Sequence, residues 1–404
     1  MTNDQLLTTL RTDARHLLED NILRFWQTRM VDNRHGGFYG RIDGHNTLHP
    51  DAPKGAVLNA RILWTFAAAC RVLHRMPYRI LAARAKDYLM QRFIDPQYGG
   101  VFWSLNADGT PLDTRKQTYA LAFAIYALAE DVRVTHDRDA LNAAIRLFND
   151  IETHAFKSSS PCGYVEALTR DWQPIDDMRL SEHDENASRT MNTHLHLLEA
   201  YTNLYRVWQD PRLERQLRTL IDIFVSRIYN PANGHLDLFF DDEWNTLPPS
   251  SLSSFTFHFS PRISPGHDIE AAWLLHEALD VLGDNELLQQ TLPLIHSLAQ
   301  ASEEGIMRES EWWCYAEAVV GYIDQAQIYR NDQPTLSAVN WQLAEAAYEY
   351  ILNHLLDHEH GEWYWSVLPD GSPDTAHDKA GFWKCPYHNS RMCIEIIERC
   401  AERV

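Results

Sequence analysis

The sequence predicts an all-α fold: twelve helices in six repeats, closing as an (α/α)6 barrel that occupies residues 1–404 as a single domain. Three observations lead there. A glycine-centred motif recurs at Gly37, Gly100, Gly163, Gly234, Gly305 and Gly361. Each copy opens a short run rich in aromatic and β-prone residues. The intervals between copies hold long Ala/Leu-rich stretches with apolar residues at helical spacing, two to an interval. Self-similarity at a near-constant period is the signature of a repeat architecture.

The motif is clearest as Asp32-Asn33-Arg34-His35-Gly36-Gly37-Phe38-Tyr39, as Asp95-Pro96-Gln97-Tyr98-Gly99-Gly100-Val101-Phe102 and as Asp357-His358-Glu359-His360-Gly361-Glu362-Trp363-Tyr364. The copies at Gly163 and Gly234 are weaker, and the one at Gly305 is barely a copy. Three of the runs end in Asp43-Gly44, Asp108-Gly109 and Asp370-Gly371. Such pairs specify hairpin turns, because glycine accepts the positive φ they require. Helices are expected over 4–29, 55–75, 78–93, 115–135, 138–155, 190–208, 211–229, 268–283, 285–301, 311–330, 336–355 and 386–402. In that order the first helix has no partner until the last arrives. This favours a closed ring over an open solenoid, which needs polar capping repeats. The connection over 240–267, rich in Ser and Pro, is too long for a turn and reads as a functional or mobile loop.

The composition narrows the partners. Lys and Arg number 36 against 56 Asp and Glu, a net charge of −20. So negative a chain is ill suited to nucleic acid or to an anionic membrane surface, and it fits a small neutral ligand. No run of 18 apolar residues appears, so no membrane span is expected. The polar N-terminus has no signal-peptide pattern. The six cysteines form no Cys-x-x-Cys pair and read as small buried hydrophobes, which points to a reduced, cytoplasmic setting. Thirteen Trp and 20 His are generous for this length, so aromatic surfaces and proton-transfer groups become the themes to follow.

Both gather where the first helix of each pair begins. Asn59, Arg61 and Trp64 open one helix and Tyr119 the next; Asn192, His194, His196 and Glu199 open the third. His267 and Glu270, then Trp312, Trp313 and Glu317, then Trp383 and His388, mark the others. If these helices line a ring, their starts converge at one mouth. Asn192 and His196 are four residues apart and share a face, while His194 points elsewhere and reads as structural. His267 and Glu270 also share a face: a histidine oriented by a carboxylate, or a pair of metal ligands. No His-Glu-x-x-His or two-His-one-carboxylate spacing is present, and an arginine and tryptophans do not suit a metal shell, so no metal is expected. Arg61 lies on an apolar face and is either functional or part of a structural ion pair. Of Trp312 and Trp313, one is expected in the core and one in the pocket.

Histidines beside an arginine suit one reaction class. Removing a proton from carbon next to a carbonyl calls for a base of near-neutral pKa, which His supplies. The enediolate oxygen calls for a fixed cation, and Arg is one. A second acid returns the proton. Tryptophans offer flat apolar faces to a sugar ring, while Asn and Glu hold its hydroxyls.

At these residues the sequence resembles the N-acylglucosamine 2-epimerase superfamily, most closely its cellobiose 2-epimerase branch. Leu58-Asn59-Ala60-Arg61-Ile62-Leu63-Trp64, Met191-Asn192-Thr193-His194-Leu195-His196, Gly266-His267-Asp268-Ile269-Glu270 and Phe382-Trp383-Lys384-Cys385-Pro386-Tyr387-His388-Asn389 carry the likeness. It implies an (α/α)6 barrel and cofactor-independent exchange of glucose and mannose configurations at C2, at the reducing end of a cellobiose-type β-1,4-disaccharide. It further implies that His267 and His388 are the acid/base pair and that His196 assists ring opening or the intermediate. Arg61 would bind the carbonyl and C2 oxygens, Glu270 would orient its neighbour, and Trp313 and Trp383 would contact the sugar. Asn192 and Tyr119 complete the pocket.

The longer connection before Gly266-His267 leaves open whether the substrate is a disaccharide or free glucose and mannose. An aldose–ketose isomerase shares the enediolate and returns the proton to C1. A glycoside hydrolase requires two opposed carboxylates, and these starts, rich in His, offer few unpaired acids. A sugar- or protein-binding barrel would use the tryptophans and leave the histidines idle. The chain is expected to act as a monomer or a homodimer.

Overall fold

Apolar spacing places twelve helices, and the computed structural model, which describes residues 3–182, 184–248 and 263–401, has twelve in those places. They are α1 (Asn3–His16, continuing through Leu17–Leu23 and Arg24–Arg29), α2 (Ala56–Leu73), α3 (Met76–Tyr88 and Leu89–Phe93) and α4 (Thr118–Thr135). Next come α5 (Arg138–Asp150 and Ile151–Ala155), α6 (Met191–Tyr205), α7 (Pro211–Ile223 and Phe224–Ile228) and α8 (Pro265–Leu282). The last are α9 (Asn285–Ile306), α10 (Trp312–Ile328), α11 (Pro334–Tyr350 and Ile351–Leu355) and α12 (His388–Arg399).

Local chemistry fixes the starts. Asp137, Asp210 and Asp284 each cap a helix by accepting from backbone N–H groups of its first turn. Proline opens α7, α8 and α11, where its missing N–H costs nothing. The second segments of α3, α5, α7 and α11, and Leu17–Leu23 inside α1, are π-helical. A wide turn adds a residue without breaking the helix, so the apolar stripe gave no sign of it. Helix α2 is apolar on all sides. Its 18 residues are long and apolar enough by composition to cross a membrane, although no unbroken apolar run marks it, and it is buried as a core helix.

The chain divides into two compact units. The first comprises Met1–Leu89, Leu105–Thr110 and Ser310–Val404. In it α1 packs on α12, α2 on α3 and α10 on α11, while α12 also touches α2 and α10. The N-terminal helix therefore meets the C-terminal one, as the pairing order required. The second unit comprises Met90–Ser104 and Pro111–Glu309. There α4 pairs with α5, α6 with α7 and α8 with α9, and α6 packs between α4 and α8.

Five motif copies form a tight hairpin between the end of a helix and the aromatic run. Val31 bridges Phe38, Ile94 bridges Val101, Phe156–Lys157 pairs with Gly163–Tyr164, Tyr229–Asn230 with His235–Leu236, and Leu356 bridges Trp363. Beneath three of them lies a buried clasp of opposite charges. Lys54 Nζ is 2.7 Å from Asp32, Lys116 Nζ is 3.0 Å from Asp95, and Lys379 holds Asp357. The sixth copy is different. Gly305 lies inside α9, where a Cβ would stand 2.1 Å from the Pro265 ring, so it serves helix packing rather than a turn.

The Asp-Gly turns also divide. Gly109 and Gly371 adopt φ of +87° and +84°, as hairpin turns demand. Gly44 does not; Asn46 takes the positive φ of that loop, and a Cβ on Gly44 would stand 2.2 Å from the Thr375 carbonyl oxygen. Of the long connection expected over 240–267, residues 249–262 lie outside the described residues.

Candidate active site

In the second unit, the starts of α4, α6 and α8 carry the polar groups. Thr190 caps α6 by accepting from Thr193 N–H at 3.1 Å, and both hydroxyls donate to the buried Glu166 carboxyl. Burial raises the Glu166 pKa to about 7 against the pull of the Thr193 and Thr190 hydroxyls. This carboxyl sets the first turn of α6. Asn192, on that turn, shares a partly enclosed cavity with His267, Glu166, Arg179, Asp184 and Glu185. The buried Asn192 Oδ1 has no hydrogen-bond partner among the described residues, as a position meant for a ligand donor would have.

One turn on, His196 is held through Nδ1 by Glu199 Oε2 at 2.9 Å, both side chains being buried. Its ring packs against Phe123 at 4.7 Å and edge-on to Tyr119 at 5.1 Å. His194 faces the other way. Its Nδ1 lies 2.7 Å from the Thr190 carbonyl oxygen and its Nε2 accepts from Tyr164 N–H, so it is a structural residue, as its position on the helix implied.

His267 occupies the first turn of α8. Burial, reinforced by nearby His196, depresses its pKa to about 3, so the ring is neutral across the physiological range. Glu270 is fully buried one turn along the helix. The Ser264 hydroxyl stands 2.7 Å from His267 Nδ1. Asp268 points away and binds His235 Nδ1 at 2.7 Å and Leu236 N–H at 2.9 Å, tying the preceding hairpin to α8.

In the first unit, α2, α10 and the approach to α12 carry the rest. Arg61 is buried on α2, donates from Nη1 to Cys385 Sγ at 3.3 Å and lies 4.5 Å over the Tyr387 ring. His388 opens α12, with Glu317 Oε1 at 2.6 Å from its Nδ1. The same oxygen takes Arg391 Nη2 at 2.7 Å. The Trp312 and Trp313 rings stand 5.5 Å and 5.6 Å from the imidazole. Trp312 is buried and Trp313 half-buried. Trp313 donates to Glu311 at 2.7 Å, and half-buried Trp383 lies edge-on to Phe382. A second clasp underlies this stretch: Glu362 accepts from Lys384 at 2.7 Å, from Asn389 at 2.6 Å and from Trp26 at 2.6 Å.

The structure thus gathers Tyr119, Asn192, His196, His267 and Glu270 on three neighbouring helix starts of one unit. It gathers Arg61, Trp313, Trp383 and His388 in the other. Sequence reasoning passed over Ser264, Arg179, Asp184 and Glu185, and gave no role to Glu199, Glu317 or Arg391. Glu199, at i+3 from His196, had a spacing that could have revealed its role.

The fold class is the (α/α)6 barrel. The solved structure of a cellobiose 2-epimerase from Bacillus thermoamylovorans, 36% identical, matches with a TM-score of 0.87 over 97% of this chain and 100% of that one. The N-acylglucosamine 2-epimerase family model matches residues 37–390, and the chain belongs to that family. A cellobiose 2-epimerase of Bacteroides fragilis is 50% identical over 96% of this chain and 98% of its own. A D-mannose isomerase of Marinomonas mediterranea is more distant, 23% identical over 96% of this chain and 98% of its own.

Proposed function

We propose that the chain epimerises C2 of a reducing sugar, at the reducing end of a cellobiose-type disaccharide, by proton removal and return through an enediolate. The chain is a carbohydrate epimerase, an isomerase, and the 50% identity to a cellobiose 2-epimerase carries the choice of substrate. In this reading His267 and His388 are the acid/base pair. His267 is neutral and can accept a proton at Nε2. His388, held at Nδ1 by Glu317, is stabilised when its ring carries charge. His196 assists ring opening, Arg61 holds the developing oxyanion, and Asn192 and Glu270 take sugar hydroxyls. Tyr119, Trp313 and Trp383 supply the walls.

The same reading takes residues 1–404 as one domain, since the six helix pairs divide three and three between the units. It takes the cytoplasm as the setting, in keeping with six free cysteines. The protein works as a monomer or homodimer.

A chromatographic survey with glucose, mannose, cellobiose and lactose side by side tests the reading. Mannose-ended disaccharides from cellobiose and lactose, without added metal or nucleotide, are expected. Turnover confined to monosaccharides would assign a free-sugar epimerase. Ketose as the main product would assign an aldose–ketose isomerase, the chemistry named in the more distant relative.

A further inference from the structure

Ser264 is the N-cap residue of α8, yet its side chain accepts nothing from the helix backbone. The helix start is secured without it. Pro265 at the first position has no N–H to satisfy, and Asp268 N–H bonds the Ser264 carbonyl oxygen at 3.0 Å. Ser264 is itself buried, and its hydroxyl stands 2.7 Å from His267 Nδ1. A serine at this position normally lends its oxygen to a helix cap. Here that oxygen is turned to the imidazole.

The chemistry of the two partners differs. A carboxylate such as Glu317 only accepts, so it pins the proton on Nδ1 of His388. A hydroxyl both donates and accepts. When His267 Nε2 is bare, Nδ1–H donates to Ser264 Oγ, and the same bond holds the ring after Nε2 has taken a proton and the imidazole has become a cation. The hydroxyl therefore orients the ring in both states without the negative charge that would stabilise the cation, in a site where burial disfavours the cation.

We infer that Ser264 is a positioning residue that holds His267 through Nδ1 with Nε2 aimed to take the sugar C2 proton in one direction of epimerisation, the imidazolium so formed giving that proton back in the other. The inference rests on the reading of His267 as one of the acid/base pair. Ser264 neither gains nor loses a proton: the one taken from C2 stays on Nε2 until it is returned, and Nδ1–H keeps its bond to Oγ throughout.

Ser264→Thr and Ser264→Val test this in the full-length protein, because they match in shape and differ by the hydroxyl. The measurements are kcat and KM in both directions of epimerisation, together with 15N chemical shifts of His267. We expect S264T to keep activity near the parent. S264V should lose roughly 10- to 100-fold in kcat in both directions, with KM little changed, the scale on which outer partners of a working imidazole act. Its His267 15N shifts should report a mixture of tautomers in place of the Nδ1–H form held in the parent. Equal activity of S264V and S264T, or a loss confined to KM, overturns the role of Ser264. His267→Asn separates the two ideas: an active H267N defeats the acid/base reading itself, whereas an inactive H267N beside a fully active S264V defeats only the inference about Ser264.

Discussion

Glu317 Oε1 lies 2.6 Å from His388 Nδ1 and 2.7 Å from Arg391 Nη2, so one oxygen of a buried carboxylate orients the imidazole while answering a buried guanidinium. Glu317→Gln keeps the shape and removes the charge. Its kcat is expected to fall roughly 10- to 100-fold, as when a histidine loses its orienting partner. Glu317→Ala also takes an acceptor from Arg391, and breaking a buried pair in this way costs about 3–5 kcal/mol. Chemical denaturation of the two variants should therefore separate them, with E317A much the less stable.

The neutral histidines make stability depend on pH. Burial lowers the His194 pKa to about 4 from 6.5, so between those values the unfolded chain binds more protons than the folded one. The contribution is fully present above about pH 6.5 and is lost as the pH falls towards 4. For this group the loss between about pH 7.5 and 5 is on the order of 2 kcal/mol. Urea unfolding at the two pH values should show His194→Gln, though weaker overall, less sensitive to acid by that amount. An unchanged pH dependence would count against a buried neutral His194.

Two glycines that look alike in sequence should respond differently. Gly371 has φ +84°, and no described atom lies within 4 Å of where a Cβ would sit, so Gly371→Ala meets only backbone strain of about 1–2 kcal/mol. Gly44 has an unstrained backbone but a carbonyl oxygen 2.2 Å from the corresponding position. Gly44→Ala must therefore shift the 374–377 segment and is expected to cost more than Gly371→Ala. Comparing melting temperatures of the pair checks the order.

The helices were legible because each pair joins a nearly all-apolar helix, such as α2 or α4, to an amphipathic one, such as α5 or α7. The π turns were not, since a single inserted residue only shifts the stripe. Within the site, whatever lies at helical spacing could be read: Asn192 with His196, and His194 on the opposite side. Glu317 and His388 stand 71 residues apart, and no local pattern connects them. Ser264 was hidden for another reason, because a serine before a helix is expected to cap it. Gly305 shows the converse, a weak motif copy kept glycine by the ring of Pro265.

The central claim is proton exchange at C2 by His267 and His388, and incubation in D2O tests it most directly. Parent protein turning over cellobiose should place deuterium at C2 of the reducing sugar. His388→Phe and His267→Asn should each lower that incorporation by at least about 100-fold while retaining the folded helix content. Epimer formed without deuterium at C2, or full exchange in either variant, would contradict the account.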